Sequence, residues 1–254
     1  MDIYRQKEII VFDLDGTLAK SKSDVDSEMT TLLGSLLEFK KVAIISGGAY
    51  SQIEKSLLSK LDCEEFLFSN LFIFPTSATS FYKHIEGSWK NVYTEELDQE
   101  ERANIITALE ESLNEAGYKK PEVTYGEIIE DRKTQITFSG LGQSAPLDEK
   151  LKWDSNRSLR EKVITAFAKR LPNFDAKIGG STSIDINKKG IDKSYGIKQI
   201  EKNLNTSIKE MLFVGDALFV GGNDYPVLKT GIETVSVKGP EETKNVIRKI
   251  ISSL

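Results

Sequence analysis

Three stretches of the chain are continuously apolar, and each of them ends at a polar group. They occupy residues 9–12, 42–45 and 211–214, and they are followed by Asp13, Ser46 and Gly215-Asp216. An apolar run without alternation is typical of a parallel strand that is buried on both faces of its sheet. Open α/β sheets bind ligands beyond the carboxyl ends of their strands, so these polar groups are predicted to meet at that edge.

Helical patterns separate these strands. Helices are predicted at 27–37 and 49–61, and short strands at 65–68 and 71–74. The pattern resumes after residue 190 with a helix that carries Ile197, Ile200 and Leu204, a strand at 234–237 and a helix at 240–254. This alternation predicts an α/β fold with a Rossmann-like parallel-sheet core.

Between about residues 80 and 187, strands and helices no longer alternate one by one. One predicted helix carries Ala103, Ile106, Leu109, Leu113 and Ala116 on one face, and another carries Leu159, Val163, Phe167 and Leu171. Strand-like segments lie at 122–125, 127–132, 134–138, 175–178 and 182–186. We therefore predict a core domain formed by residues 1–82 and 188–254, and an inserted α+β domain at 83–187 that caps the carboxyl edge of the core sheet.

Composition narrows the classes of function. A chain of 254 residues suffices for one large domain or two of ordinary size, and a net charge of -5 argues against a nucleic-acid partner. A single cysteine, Cys63, excludes an internal disulfide, and no apolar run approaches the ~20 residues that span a bilayer. We expect a soluble, cytoplasmic protein without a membrane partner.

The remaining conspicuous side chains have ordinary interpretations. His84, the only histidine, is expected in a strand of the cap rather than in catalysis. Trp89 and Trp153 are expected to pack at a surface or between domains. No cluster of cysteine and histidine indicates zinc.

The residues alone leave two interpretations open for Asp13-Leu14-Asp15-Gly16. One is a strand that ends in an ordinary Asp-Gly turn. The other is a catalytic pair, because a carboxylate forms an acyl phosphate once Mg²⁺ neutralises the approaching charges, and a second carboxyl group transfers the proton. Ser46-Gly47-Gly48 is similarly open, since it suits a phosphate cradle or a plain strand-to-helix turn.

Asp13-Leu14-Asp15-Gly16-Thr17 resembles the signature of the haloacid-dehalogenase-like phosphohydrolases and phosphotransferases. The resemblance implies that Asp13 is the nucleophile, that Asp15 is the general acid and base, and that Ser46 holds the phosphate. It also implies that Lys193 neutralises charge between Asp13 and the phosphate. The implied Mg²⁺ site consists of Asp13 and Asp216 with the main-chain carbonyl of Asp15, and Asp224 completes the late acidic pair.

A narrower resemblance covers nearly the whole chain. Residues 179–185, 190–193 and 221–224 look like the eukaryotic-type phosphomannomutases, a branch of that superfamily with a large αβ cap. The resemblance implies a small phosphorylated sugar as substrate and a homodimer formed through the caps. The substrate-binding residues that it implies are Arg132, Gln143, Lys150, Ser183 and Asp185 in the cap and Lys22 in the core.

Three of these positions depart from the family pattern. Lys22, Gln143 and Lys150 stand where the family has arginines, so one cation is lost and two lack the bidentate fork of a guanidinium. A mutase must keep its sugar bound while the sugar reverses its orientation in the site, whereas a phosphatase needs only to admit water to the phosphorylated aspartate. The sequence therefore favours a Mg²⁺-dependent sugar-phosphate phosphatase, with phosphomannomutase activity as the alternative.

A second alternative is a catalytically silent regulator that binds a phosphosugar. The presence of both Asp13 and Asp15 argues against it, because a binding protein has no need of an acid-base group.

Overall fold

A computed structural model describes residues 4–20 and 23–254 of the chain. It divides into two compact units. The larger unit comprises Met1–Thr94 and Asp192–Leu254, and the smaller unit is Glu95–Ile191. In the described residues, no helix is both long enough and apolar enough to cross a membrane.

The described residues form eleven strands and seven α-helices. The strands are β1 Ile9–Asp13, β2 Lys41–Ile45, β3 Leu71–Phe74, β4 Ser80–Ile85, β5 Ser88–Thr94, β6 Ile129–Asp131, β7 Ile136–Ser139, β8 Phe174–Gly179, β9 Ser183–Lys188, β10 Met211–Gly215 and β11 Glu233–Ser236. The α-helices are α1 Ser27–Leu37, α2 Tyr50–Ser56, α3 Gln99–Glu115, α4 Leu147–Lys152, α5 Ser158–Arg170, α6 Lys193–Leu204 and α7 Pro240–Ser252.

The larger unit is built on a seven-stranded sheet with the order β11-β10-β1-β2-β3-β4-β5. The first five strands in this order pair in parallel, and β4 and β5 add antiparallel pairs at one edge. Alternate side chains of β1 serve opposite faces: Ile10 and Phe12 lie in a core with α1 and α7, whereas Ile9 and Val11 lie in a core with α6. The central strands are therefore covered on both faces, which confirms the predicted α/β core.

The larger unit also differs from the sequence-based prediction. Residues 83–94 complete a β-hairpin that extends the main sheet, so the unit boundaries lie after 94 and 191 rather than after 82 and 187. The hairpin turns through Glu86 and Gly87, whose φ angles of 49° and 74° suit a tight hairpin turn. The predicted strand at 65–68 is wrong, because Glu65–Asn70 is a 3-10 helix, and the predicted helix at 49–61 stops at Ser56 and continues as a short 3-10 turn at Leu58–Lys60.

The smaller unit contains a four-stranded antiparallel sheet with the order β6-β7-β9-β8. Helices α3 and α5 pack on one face, where Phe138 and Ile184 meet Leu109 and Phe167. The predicted strand at 122–125 is absent, and α4 was not predicted. The α+β class of this unit is as predicted, and its placement as a cap stays a prediction.

The conspicuous aromatic residues pack within single units. His84 lies in β4 of the larger unit rather than in the cap, with its ring 5.4 Å from that of Trp89. Trp153 packs inside the smaller unit, 6.2 Å from the ring of Phe138. Cys63 is half-buried, and burial raises the pKa of its thiol, as expected of an unreactive packed cysteine.

Candidate active site

Three acidic residues and one lysine meet at the carboxyl ends of β1 and β10. Asp13 is the last residue of β1, Asp216 follows β10, and Asp224 lies in the loop beyond it. Lys193, the first residue of α6, donates hydrogen bonds from Nζ to both Asp13 Oδ1 and Asp224 Oδ1. Asp13, Lys193 and Asp224 are all at most 3% exposed, so this is a buried charge cluster.

Glycine allows the two strand ends to approach each other. Gly16 has a φ of +94°, and a Cβ placed on it would lie 2.5 Å from Asp216 Oδ2. Thr17 fastens the same contact, because its Oγ1 accepts a hydrogen bond of 3.1 Å from the Asp216 amide. Any side chain at position 16 would therefore displace Asp216. Thr17 was quoted in the sequence motif without a role, and the structure supplies one.

The acidic cluster suits a hard cation. One carboxylate oxygen from each of Asp13, Asp216 and Asp224 lies within 4.8 Å of the others. Asp13 Oδ2 is buried and has no hydrogen-bond partner among the described residues. Buried polar atoms are rarely left unsatisfied, and carboxylate oxygens are the ligands that Mg²⁺ prefers. These residues therefore fit the predicted metal.

The charges of the cluster perturb one another. Burial raises the pKa of Asp13, and the neighbouring Asp224 and Asp216 act in the same direction, while Lys193 opposes them. Burial lowers the pKa of Lys193, but Asp13 and Asp224 outweigh that effect and raise it. Burial and Asp224 likewise raise the pKa of Asp216. Lys193 is thus held as an ammonium ion between two carboxylates.

Asp15 occupies the loop directly after Asp13. It is half-buried, and the loop is closed by a hydrogen bond of 2.7 Å from the Gly16 amide to the Ala19 carbonyl. Asp15 is not among the residues whose side chains form the acidic cluster. Proton transfer by the Asp15 carboxyl group, and contact of its main-chain carbonyl with the metal, stay predictions.

Ser46 lies directly after β2 and is 1% exposed. The Gly48 amide donates to its Oγ over 3.0 Å, and its carbonyl accepts from the Ser77 amide over 2.9 Å. Residues 76–78 all have positive φ, between 47° and 67°, although they are Thr, Ser and Ala. Such conformations cost about 1 kcal/mol or more each and cluster at functional sites. Nothing in the sequence indicated this strained support, because none of these residue types favours a left-handed backbone.

In the smaller unit, the structure brings Arg132 and Gln143 together. Arg132 Nη2 and Nε donate to Glu130 Oε2 over 2.7 and 2.9 Å, and Nη2 lies 3.5 Å from Gln143 Oε1. Lys150 and Ser183 are buried, at 4% and 3% exposure.

Asp185 lies in β9 and accepts hydrogen bonds from Gln135 and Thr137, two residues that the sequence analysis did not single out. Lys22, the remaining predicted substrate residue, lies outside the described residues.

Known proteins resemble this chain in sequence and in fold. A sequence profile described as "Eukaryotic phosphomannomutase" matches residues 29–253. The chain belongs to this family. Among its phosphomannomutase relatives, one from Encephalitozoon cuniculi is 28% identical over 98% of this chain and 95% of the relative. The human protein named Phosphomannomutase 1 is 26% identical over 97% of this chain and 93% of the relative.

Solved structures share the fold. An IMP-nucleotidase of Plasmodium falciparum superposes with a TM-score of 0.72 and 20% identity, over 98% of this chain and 68% of that one. A trehalose-6-phosphate phosphatase of Aspergillus fumigatus gives 0.54 and 16%, over 98% and 95%. At these identities the likeness concerns the fold alone. Together with the family match, it identifies this phosphomannomutase-family chain as an enzyme of the haloacid-dehalogenase type.

Proposed function

We propose that this enzyme is a phosphomannomutase, which moves a phosphoryl group between carbon 1 and carbon 6 of a hexose phosphate through phosphorylated Asp13. The observation that carries the proposal is that the family match, at residues 29–253, includes Lys193, Asp216 and Asp224 of the larger unit and the polar residues of the smaller unit; Asp13 lies before the matched range. The curated relatives named phosphomannomutases also span nearly the whole chain.

The first half-reaction uses the larger unit. A hexose bisphosphate presents one phosphate to Asp13, whose carboxylate oxygen attacks phosphorus while the bond from phosphorus to the sugar oxygen breaks. Asp15 gives that leaving oxygen its proton. Lys193, held against Asp13, offsets the negative charge that gathers there.

The second half-reaction returns the phosphoryl group. A hexose 1-phosphate binds to the phosphorylated enzyme, and its 6-hydroxyl attacks phospho-Asp13 while Asp15 accepts the hydroxyl proton. The resulting bisphosphate must then reorient before its other phosphate is transferred to Asp13. Asp13, Asp216 and Asp224 would hold Mg²⁺, which when bound neutralises phosphate oxygens during each transfer.

A sugar-phosphate phosphatase is the second candidate. It was the leading prediction from the sequence, because Gln143 is neutral and Lys150 lacks a guanidinium fork. In that reaction water rather than a sugar hydroxyl attacks phospho-Asp13. The family match and the named relatives support the mutase better than this hydrolase.

Phosphorus NMR distinguishes the two reactions. Mannose 1-phosphate or glucose 1-phosphate is incubated with the enzyme, Mg²⁺ and a trace of the hexose 1,6-bisphosphate. We expect conversion to the 6-phosphate with little inorganic phosphate. Accumulation of inorganic phosphate in proportion to the loss of substrate would replace the mutase with the phosphatase, and retention of activity after chelation would remove Mg²⁺ from the proposal.

A further inference from the structure

One carboxylate oxygen of Asp185 accepts hydrogen bonds from a network of buried polar side chains. Gln135 Nε2 donates to Asp185 Oδ1 over 3.0 Å, and Thr137 Oγ1 donates to the same oxygen over 2.9 Å. Gln135 and Thr137 are 0% and 1% exposed. They lie just before β7 and within it, beside the β9 strand that carries Asp185.

Asp185 fixes the direction of the hydrogen bonds in this network. An ionised carboxylate only accepts, so it turns the amide nitrogen of Gln135 and the hydroxyl proton of Thr137 towards itself. The Thr137 oxygen then accepts from Gln135 Nε2 over 2.8 Å, and Gln135 Oε1 accepts from Asn187 Nδ2 over 3.2 Å. Gln135 and Thr137 thus donate to the carboxylate, and Asn187 donates to Gln135.

The second oxygen of Asp185 is placed by a glycine. A Cβ placed on Gly179 would lie 2.3 Å from Asp185 Oδ2, so this oxygen occupies the space that a side chain on β8 would fill. Hydrogen bonds therefore fix Oδ1, and the Gly179 backbone defines the position of Oδ2.

Stability does not account for this arrangement. Asn187 is 3% exposed, and its Oδ1 has no hydrogen-bond partner among the described residues. A buried acceptor left in this way costs about 1–3 kcal/mol, and apolar side chains of similar size would avoid the cost. The opposite face of the same strands does use apolar residues, Ile136, Ile184 and Ile186. The polar network is therefore expected to position the Asp185 carboxylate.

We propose that Gln135 is a positioning residue that orients Asp185 to accept hydrogen bonds from the hydroxyl groups of the sugar. The proposal rests on the proposed function, in which Asp185 contacts a hexose phosphate. A carboxylate repels phosphate oxygens, so its partner must be a hydroxyl donor of the sugar. A site that pairs such hydroxyl groups discriminates strongly against substrates that lack them.

The test compares two substrates in Gln135→Met, which keeps side-chain length but removes both hydrogen-bonding functions. We expect KM for mannose 1-phosphate to rise about tenfold or more, the scale of one hydrogen bond to a charged group, with a smaller change in kcat. Hydrolysis of acetyl phosphate, which has no sugar, should stay within about twofold of wild type. Equal losses on both substrates would make Gln135 merely structural and overturn the proposal.

Ser139→Ala is the matched control. Ser139 is fully buried, lies in β7 on the same face as Thr137, and bonds to Gly142 and Thr182 rather than to Asp185. It should change neither activity. If thermal unfolding shows that Gln135→Met does not fold, Thr137→Val, which removes the other donor to Asp185, should give the same pattern of KM and acetyl phosphate activity.

A double-mutant cycle tests whether Gln135 acts through Asp185. In an Asp185→Ala background, Gln135→Met should add less than about a twofold further loss, because the group that it positions is gone. Losses that multiply would overturn the proposal. If Asp185→Ala binds mannose 1-phosphate normally, the proposed sugar site itself is wrong. If Asp185→Ala is impaired and Gln135→Met is not, only the positioning role fails.

Discussion

Replacing Asp13 with asparagine should abolish turnover and, in metal-free buffer, make the larger unit more stable. Among the described residues, the acidic cluster combines three carboxylates with the ammonium group of Lys193. Burial raises the pKa of Asp13, which means that the fold disfavours its ionised form. Asparagine keeps the shape of the side chain and removes its charge, so the proposed nucleophile is lost and the repulsion between carboxylates is relieved.

The magnitude follows from the distances. Two like charges within 4.8 Å repel by about 3.5 kcal/mol at an effective dielectric constant near 20, and Asp13 faces two such neighbours, Asp216 and Asp224. The attraction between Asp13 and Lys193 offsets roughly 5–6 kcal/mol of this repulsion on the same scale. The remaining repulsion alone gives the variant a gain of about 1–2 kcal/mol, and the removed cost of burying a carboxylate acts in the same direction. For a domain of this size, a gain of about 1–2 kcal/mol raises Tm by roughly 2–8 °C.

The assay is thermal unfolding in EDTA and again with Mg²⁺. Mg²⁺ should stabilise the wild type more than Asp13→Asn, because a ligand stabilises the state that binds it and the variant has lost one carboxylate ligand. Asp24→Asn, the same substitution at an exposed residue paired with Lys60, should change neither Tm nor the effect of Mg²⁺. A lower Tm for Asp13→Asn than for wild type in EDTA would refute this account of the charge cluster.

Two further predictions concern other carboxyl groups. Asp15→Asn should slow turnover of hexose phosphates by roughly 10²-fold or more. It should slow hydrolysis of nitrophenyl phosphate much less, since a good leaving group needs no proton. Equal losses on both substrates in kinetic assays would contradict proton transfer by Asp15. Burial raises the pKa of Asp154, but hydrogen bonds from Arg160 and from the amides of Leu159 and Arg160 outweigh it and lower the pKa. The pair should therefore stabilise the smaller unit above the unfolded-state pKa, near 3.9, and this stabilisation should be lost as pH falls through the lower folded-state value. Urea titrations from pH 7 to pH 3 should show a smaller loss in the free energy of unfolding for Asp154→Asn than for the wild type. A pH profile identical to that of the wild type would contradict a stabilising Asp154–Arg160 pair.

The sequence predicted the parts of the fold that depend on continuous apolar runs. The parallel strands β1, β2 and β10 and the polar groups that follow them are where the pattern placed them, because burial on both faces leaves few alternatives. The acidic cluster could be predicted for the same reason, since parallel strands bring Asp13 and Asp216 to one edge. Helix α1 also has its predicted bounds, and the Asp26 side chain caps it by accepting from the Met29 amide.

The parts that could not be predicted depend on contacts between distant residues. The hairpin of β4 and β5 has the local pattern of any antiparallel pair, and only its pairing with β3 assigns it to the larger unit. The positive φ angles at 76–78 oppose the preferences of the residues that adopt them, so tertiary packing must impose them. Gln135 and Asp185 are far apart in sequence, and nothing but the register of β7 and β9 brings them together.

The number of cations favoured hydrolysis because the sequence does not show how contacts between distant residues orient those cations. Gln143 replaces a charge, but its Oε1 lies near Arg132 Nη2, and Glu130 holds the same guanidinium through two hydrogen bonds. Arg132 is therefore oriented by its neighbours, and orientation reduces the entropy lost when a guanidinium binds a phosphate. A second arginine at position 143 would face Arg132 as a like charge. At the proposed substrate site, the strength of phosphate binding would therefore depend on how Arg132 is held as well as on the number of cations, and fewer but oriented cations are compatible with transfer between two ends of one sugar.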